Sequence, residues 1–111
     1  FRENDYLFRF GGEEFVIILR AANQQQAHQA FERFRAAIAT HPFPQVGQVT
    51  ISIGITHMDP AIFSATLLDR ADKALYQAKD NGRNQICFYE TLVENGVLRE
   101  DEILSGEIEL F

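Results

Sequence analysis

FRFGGEEFVIIL, residues 8–19, sets two adjacent glycines between two apolar runs and follows them at once with two adjacent glutamates. Tyr6–Phe10 and Phe15–Leu19 are short, rich in β-formers and separated by Gly-Gly, which predicts a β-hairpin. A glycine pair suits a tight primed turn, whose central residues need φ > 0. Val16-Ile17-Ile18-Leu19 has no alternation, so this strand is expected to be covered on both faces. Glu13 and Glu14 then stand at the edge of an apolar platform. Successive strand residues point to opposite faces, so the two carboxylates converge only if a twist or bulge lies near the turn. On the residues alone two readings stay open, a solvated hairpin tip and a metal site. Carboxylate oxygens suit Mg²⁺, which is commonly held by one or two protein carboxylates together with substrate phosphates. Gly11 and Gly12 would also admit a nucleotide close to the backbone.

Downstream, Asn23 is placed to cap a helix over Gln24–Thr40, with Ala27, Ala30, Phe31, Phe34, Ala37 and Ile38 at helical spacing. His41-Pro42-Phe43-Pro44 ends it, because proline blocks continuation. Val49–Thr56 reads as a strand with Ile51, Ile53 and Ile55 on one face, and Gly54 on the other face marks a close approach by a neighbour. Ser64 is placed to cap a second helix whose apolar stripe is Leu67, Leu68, Ala71, Ala74, Leu75 and Ala78, and Gly82 is placed to terminate it. Asn84–Glu90 reads as a last strand. The order is strand, strand, helix, strand, helix, strand, with no internal repeat and no low-complexity segment.

Arg9-Phe10-Gly11-Gly12-Glu13-Glu14-Phe15 resembles the signature of the GGDEF family of diguanylate cyclases, in its GGEEF form. Val49-Thr50-Ile51-Ser52-Ile53-Gly54-Ile55 is similar to that family's V-T-x-S-x-G-I strand. Ala71-Asp72-Lys73-Ala74-Leu75-Tyr76-Gln77-Ala78-Lys79, followed by Gly82-Arg83-Asn84, is similar to its A-D-x-A-L-Y-x-A-K-x-x-G-R-N segment. The matches fall in the family's order and cover residues 2 to about 90. The resemblance implies an α/β fold (an α+β sandwich) of the nucleotidyl-cyclase type, a ferredoxin-type βαββαβ sheet with helices packed on it. It implies an enzyme that condenses two GTP into cyclic di-GMP and releases pyrophosphate. Each half of an antiparallel homodimer would present one GTP, with Mg²⁺ (or Mn²⁺) neutralising the phosphates.

The same resemblance implies roles for individual residues. Glu13 is the metal ligand of the turn. Glu14 either joins a second Mg²⁺ or helps deprotonate the attacking 3′-hydroxyl. Glutamate in place of the family's more common aspartate at position 13 keeps the ligand type. Gly11 and Gly12 allow close substrate approach, and Lys79 and Arg83 neutralise the GTP phosphates. Without the family context, Lys79 and Arg83 are cations at a helix C-terminus, where the dipole favours them. Arg2-Glu3-Asn4-Asp5 fits the family's product-inhibition motif R-x-x-D, with Arg2 nine positions before Gly11. A planar guanidinium suits phosphate and guanine edges, and a carboxylate suits the guanine N–H groups. Arg33 stands where some members carry a second product-binding arginine, or is a surface charge of the first helix. Asp72 is expected to position the second helix, and Lys73 to lie on its solvated face.

A whole domain of this family is longer than this chain. Its opening segment carries a metal-binding Asp on the first strand, then an Asn and an Asp that read guanine, and no position here corresponds to them. Residues 1–90 are therefore expected to be a partial domain, and 91–111 an acidic extension. The absent first strand would be central, between two of the strands present, so those two are expected to expose unpaired edges. Such a chain should be neither a stable monomer nor active by itself. A second function of a different class is a catalytically inactive receptor that binds cyclic di-GMP through Arg2 and Asp5 and signals by dimerisation.

Composition bounds these readings. The 111 residues suggest one domain, and 46% apolar content with ten Phe is enough for a packed core. One cysteine excludes an internal disulfide framework and fits a reducing compartment. Cys87, in the run Ile86-Cys87-Phe88-Tyr89, reads as a small core or sheet residue. The net charge of −6 is unevenly spread. Residues 1–90 hold nine basic and ten acidic residues, whereas 91–111 hold one arginine and six acids. The folded part thus lacks the basic stripe of a nucleic-acid surface. No apolar run reaches membrane-spanning length, which implies no direct membrane contact from this segment. The expected location is cytoplasmic, or the cytoplasmic part of a membrane-anchored or multidomain protein. His28, His41 and His57 share no spacing and have no nearby cysteine, so none is assigned to a metal. In the tail, Asn95-Gly96 marks a turn. The later apolar residues Val97, Leu98, Ile103, Leu104, Ile108, Leu110 and Phe111 are expected to fold back against the domain or a dimer partner.

Overall fold

The computed structural model describes residues 6–20 and 24–99. Arg2, Asp5, the expected cap Asn23 and the tail beyond position 99 lie outside the described residues. The elements are β1 (Tyr6–Gly11), β2 (Glu14–Leu19), α1 (Gln24–Thr40), β3 (Ser52–His57), α2 (Ser64–Asp80), β4 (Ile86–Phe88) and α3 (Tyr89–Glu94). The four strands form one mixed sheet in the order β1-β2-β3-β4. β1 and β2 are antiparallel, and β2–β3 and β3–β4 are parallel.

The hairpin forms as its sequence predicts, but its turn is built differently. Arg9 pairs with Phe15 and Gly11 with Glu14, so Phe10 is an extra residue in β1 and the loop is Gly12-Glu13. Neither Gly11 nor Gly12 has positive φ. The bulge makes the reversal, and no primed turn at the glycine pair is needed.

Two helices cover opposite faces of the sheet. Ile17, Leu19, Ile53, Ile55 and Phe88 form one core, and Ala27, Phe31 and Ile38 of α1 pack against it. Val16 joins Ala71 and Leu75 of α2 on the other face. This explains the unbroken Val16–Leu19 run: all four residues are buried, alternately beneath each helix. α1 buries no residue completely, and its Phe34 is exposed. α2 buries Leu67, Ala71, Ala74, Leu75 and Ala78, its predicted stripe apart from Leu68. It lies directly on β3 because position 54 lacks a side chain. A Cβ on Gly54 would stand 2.2 Å from the Ala71 carbonyl oxygen and 2.3 Å from the Leu75 nitrogen.

Several expectations are corrected. Strand β3 starts at Ser52, three positions later than the pattern at Val49 indicates, although Ile51 is buried. The helix α2 begins after Phe63, which makes no side-chain cap, so Ser64 is already helical. The last strand spans only Ile86–Phe88, and Tyr89 begins α3. Thr56 Oγ1 donates to Glu90 Oε2 at 2.6 Å, and the His57 N–H donates to the same oxygen at 3.2 Å. Glu90 thereby ties the first turn of α3, where the helix dipole favours a carboxylate, to the end of β3. Among the described residues the unpaired edges expected between neighbouring strands are not found. β2 and β3 pair with each other directly, from Glu14↔Ser52 to Leu19↔His57, and so satisfy the backbone groups that exposed edges would have wasted.

Candidate active site at the hairpin turn and the end of helix α2

Three elements meet at the C-terminal end of α2. Glu14 is the first residue of β2 and pairs with Ser52, the first residue of β3. The preceding Glu13 carbonyl accepts the Ser52 N–H at 2.9 Å, which fixes the turn against β3. Arg9 closes the turn from the other side, with Nε donating to the Gly11 carbonyl at 3.0 Å and Nη2 to the Gly12 carbonyl at 3.2 Å.

The chain leaves α2 through a tight C-terminal motif. The Gly82 N–H donates to the Lys79 carbonyl at 3.2 Å and the Arg83 N–H to the Ala78 carbonyl at 2.8 Å. Gly82 terminates the helix as its position predicts, with φ +113°. Arg83 and Asn84 continue in left-handed conformations, at φ 66° and 51°. This turn sends both cations to one carboxylate. Lys79 Nζ lies 3.1 Å from Glu14 Oε1, and Arg83 Nη1 lies 3.1 Å from Glu14 Oε2. The hydrogen bonds from Lys79 and then Arg83 hold the Glu14 carboxyl below its usual range. The cluster is partly open to water, so each ion pair stabilises the fold by only about 0–1 kcal/mol. Two cations gathered on one partly exposed carboxylate serve stability poorly. Paired cations at an open surface attract anions that carry more charge than a single carboxylate.

Glu13 is exposed in the turn beside this cluster, and so is Gly12. A Cβ on Gly12 would meet only Arg9 Nη2, at 4.0 Å, whereas a Cβ on Gly11 would press on Glu14 Oε1 at 3.2 Å. Gly12 therefore leaves the outer side of the turn open, and Gly11 preserves the position of the Glu14 carboxylate. Among the described residues no group of three or more His, Cys, Asp or Glu could hold a metal ion alone. Carboxylate oxygens such as those of Glu13 and Glu14 are the donor type that a hard divalent cation takes together with phosphate oxygens.

The arrangement has counterparts among known proteins. The family model described as diguanylate cyclase, GGDEF domain, matches residues 1–85. The chain belongs to the GGDEF family. Its hairpin turn is the GGDEF motif, here Gly11-Gly12-Glu13-Glu14-Phe15. Diguanylate cyclase DgcP of Pseudomonas aeruginosa is 43% identical over 88 residues, which are 77% of this chain and 13% of that protein. A diguanylate cyclase of Vibrio cholerae is 36% identical over 96 residues, 83% of this chain and 29% of the relative. The chain thus spans less than a third of the length of these relatives. The GGDEF domain of DgcB from Caulobacter crescentus, solved in complex with c-di-GMP, matches the fold with a TM-score of 0.64. That match is 24% identical and covers 80% of this chain and 56% of the other.

Of the residues singled out in the sequence, the GGDEF fold brings Gly11, Gly12, Glu13, Glu14, Lys79 and Arg83 to one place. Arg33 is exposed on α1. Lys73 pairs with Asp69 one turn away, at 3.1 Å, on the outer part of α2. Burial and the neighbouring Asp69 raise the Asp72 carboxyl, against a weaker opposing pull from Lys79. Cys87 lies half-buried in β4, and burial raises its thiol. Three contributors were not visible in the sequence: Arg9 as the clamp on the turn, Ser52 as the partner of Glu13 and Asn84, and Arg35 on α1. The Asn84 N–H donates to Ser52 Oγ at 3.1 Å, and Arg35 Nη1 donates to Asn84 Oδ1 at 2.6 Å. No periodicity or motif marks Arg35, because its partner is 49 positions away.

Proposed function

We propose that the protein carrying this domain is a diguanylate cyclase that condenses two GTP into cyclic di-GMP with release of pyrophosphate. The observation that carries the reading is the meeting of Lys79 and Arg83 on Glu14 beside the open Gly12-Glu13 turn. In this account the triphosphate takes the place of Glu14 as the anion facing Lys79 and Arg83. Arginine meets phosphate oxygens with a planar fork, and lysine acts as a point charge. The glycines let the nucleotide lie against the turn without meeting a side chain. Glu13 would hold the metal, Mg²⁺ or Mn²⁺, with the phosphates, and Glu14 would either join it or help deprotonate the attacking 3′-hydroxyl. An ion held there would supply positive charge beside the departing pyrophosphate.

Each condensation forms a bond between the 3′-oxygen of one GTP and the α-phosphorus of the other. The bond from that phosphorus to the pyrophosphate oxygen breaks, and the hydroxyl proton leaves. Where Glu14 does not join the metal, its carboxylate is the group of this turn that would receive that proton once its cations have turned to the phosphates. Repeating the step with roles exchanged closes the ring, which calls for two domains facing each other as an antiparallel homodimer. Product inhibition is assigned to Arg2 and Asp5 with Arg33, supported by the spacing of R-x-x-D before the glycines. We place the catalytic domain in residues 1–90, with 91–111 as an extension that begins within α3. We assign the domain to the cytoplasm, either free or as the cytoplasmic part of a membrane-anchored or multidomain protein, because its proposed substrate is GTP.

The test is turnover. The full-length protein, incubated with GTP and Mg²⁺, is expected to yield one cyclic di-GMP and two pyrophosphates from two GTP. Glu13→Ala is expected to abolish this. Cyclic di-GMP binding without any turnover would replace the enzyme reading with that of a receptor.

A further inference from the structure

The left-handed pair Arg83-Asn84 is an unusual way to leave a helix. Gly82 takes positive φ without strain, but Arg83 does not, and a chain holds such a residue only where its surroundings fix it. Three contacts fix it here. The Arg83 N–H is held by Ala78, the Asn84 N–H by Ser52 Oγ, and the Asn84 side chain by Arg35. The first two come from α2 and β3, the elements that carry the site. The third comes from α1, which packs on the opposite face of the sheet.

Arg35 is itself held. Its Nε lies 3.0 and 3.1 Å from the two carboxylate oxygens of Glu32, and its Nη2 pairs with Glu32 as well. The Arg35 side chain is only 16% exposed. Its planar fork thus faces Glu32 on one side and directs Nη1 to Asn84 on the other. From Asn84 the connection continues by one peptide to Arg83, and from Arg83 to Glu14. Ser52 closes the loop, since it receives Asn84 and is the β-ladder partner of Glu14.

We infer that Arg35 is a positioning residue: by gripping Asn84 it holds the 82–84 turn in its left-handed course and so aims Arg83 at the phosphate site. It rests on the reading of Glu14, Lys79 and Arg83 as that site. Arg35 touches no substrate group in this account. It acts only through Asn84 and Arg83.

The inference predicts a specific form of non-additivity in the full-length protein. Arg35→Met removes a hydrogen bond from a charged donor, and is expected to raise the KM for GTP by about tenfold. Placed on Arg83→Met, the same change is expected to add no further loss, because the guanidinium it aims is gone. Asn84→Gly keeps the left-handed backbone and removes Oδ1, and it should reproduce the Arg35→Met effect. A general packing role for Arg35 would instead multiply the losses in the double variant, and that result overturns the inference. A second arm needs no reaction. Without nucleotide, amide exchange at residues 82–85 should quicken in Arg35→Met while exchange in α2 stays unchanged. Unaltered exchange at 82–85 also overturns it. If the wild-type protein makes no cyclic di-GMP, the proposed function fails, and the exchange arm alone decides the role of Arg35.

Discussion

Glu14 Oε1 and Lys79 Nζ lie 3.1 Å apart, joined across 65 positions of sequence. With Arg83 on the other oxygen, the carboxylate of the motif occupies the two cations that this account assigns to GTP. The structure shows Glu14 paired with the chain's own cations, and the proposed function adds a second state in which phosphates release it. The pairing with Glu14 holds Lys79 and Arg83 together at little energetic gain.

This pairing gives a pH signature. Glu14 is held below its usual value of 4.5. A depressed carboxylate contributes stability that is present above the unfolded value and lost as pH falls through the lower folded value. Glu14→Gln should therefore cost less than about 1 kcal/mol near neutral pH. The difference should start to shrink near pH 4.5 and vanish only once pH has fallen past the lower folded value. Thermal unfolding of both proteins across that range checks this; a gap that persists in strong acid would show that the ion pairs are not its source.

The two glycines of the turn should behave differently. Gly11→Ala places a methyl 3.2 Å from Glu14 Oε1 and must displace that carboxylate. The variant should fold, with its melting temperature little changed, and lose GTP turnover by about tenfold or more. Gly12→Ala meets nothing closer than Arg9 Nη2 in the free domain. Its folded structure should be untouched, so any loss must appear in nucleotide affinity. Melting temperatures measured beside KM and kcat separate the two cases.

How far these features could be read in the sequence follows from the range of the interactions. The hairpin, α1, the stripe of α2 and the stop at Gly82 depend on neighbours in the chain, and all were legible. The turn was not, because the bulge at Phe10 moves the reversal to Gly12-Glu13. β4 was overestimated because Ile86-Cys87-Phe88-Tyr89 reads as continuous β-structure, while the bond from Thr56 to Glu90 favours a helix start. The candidate site residues come from their motifs, but the ion pairs among them were not legible, since Glu14 and Arg83 are 69 positions apart. Arg35 carries no local signal at all.

Gly54 gives the sharpest prediction of stability. A methyl there would stand 2.2 Å from the Ala71 carbonyl oxygen, and hydrogen-bonded helix backbone cannot rotate away. Gly54→Ala should lose at least the ~1–3 kcal/mol typical of overpacking. Calorimetry should show a lowered transition, or the variant should be recovered only as insoluble protein. Wild-type stability would refute the close seating of α2 on β3.

Thr56→Val tests the tie between β3 and α3. Valine keeps the shape of the buried side chain and removes the donor to Glu90 Oε2, which lies 2.6 Å away. A cost of about 1–3 kcal/mol is expected from the hydrogen bond lost by that carboxylate. Amide exchange in residues 89–94 should rise along with it. Exchange confined to the wild-type pattern would place the start of α3 under other control.

Equilibrium binding of a non-hydrolysable GTP analogue, with Mg²⁺ present, tests the central claim directly. The full-length protein should bind the analogue, and Lys79→Met with Arg83→Met together should weaken that binding by about a hundredfold, as expected for two lost charge-assisted contacts. Equal affinity in the wild type and the double variant would contradict the assignment of these two cations to the phosphates.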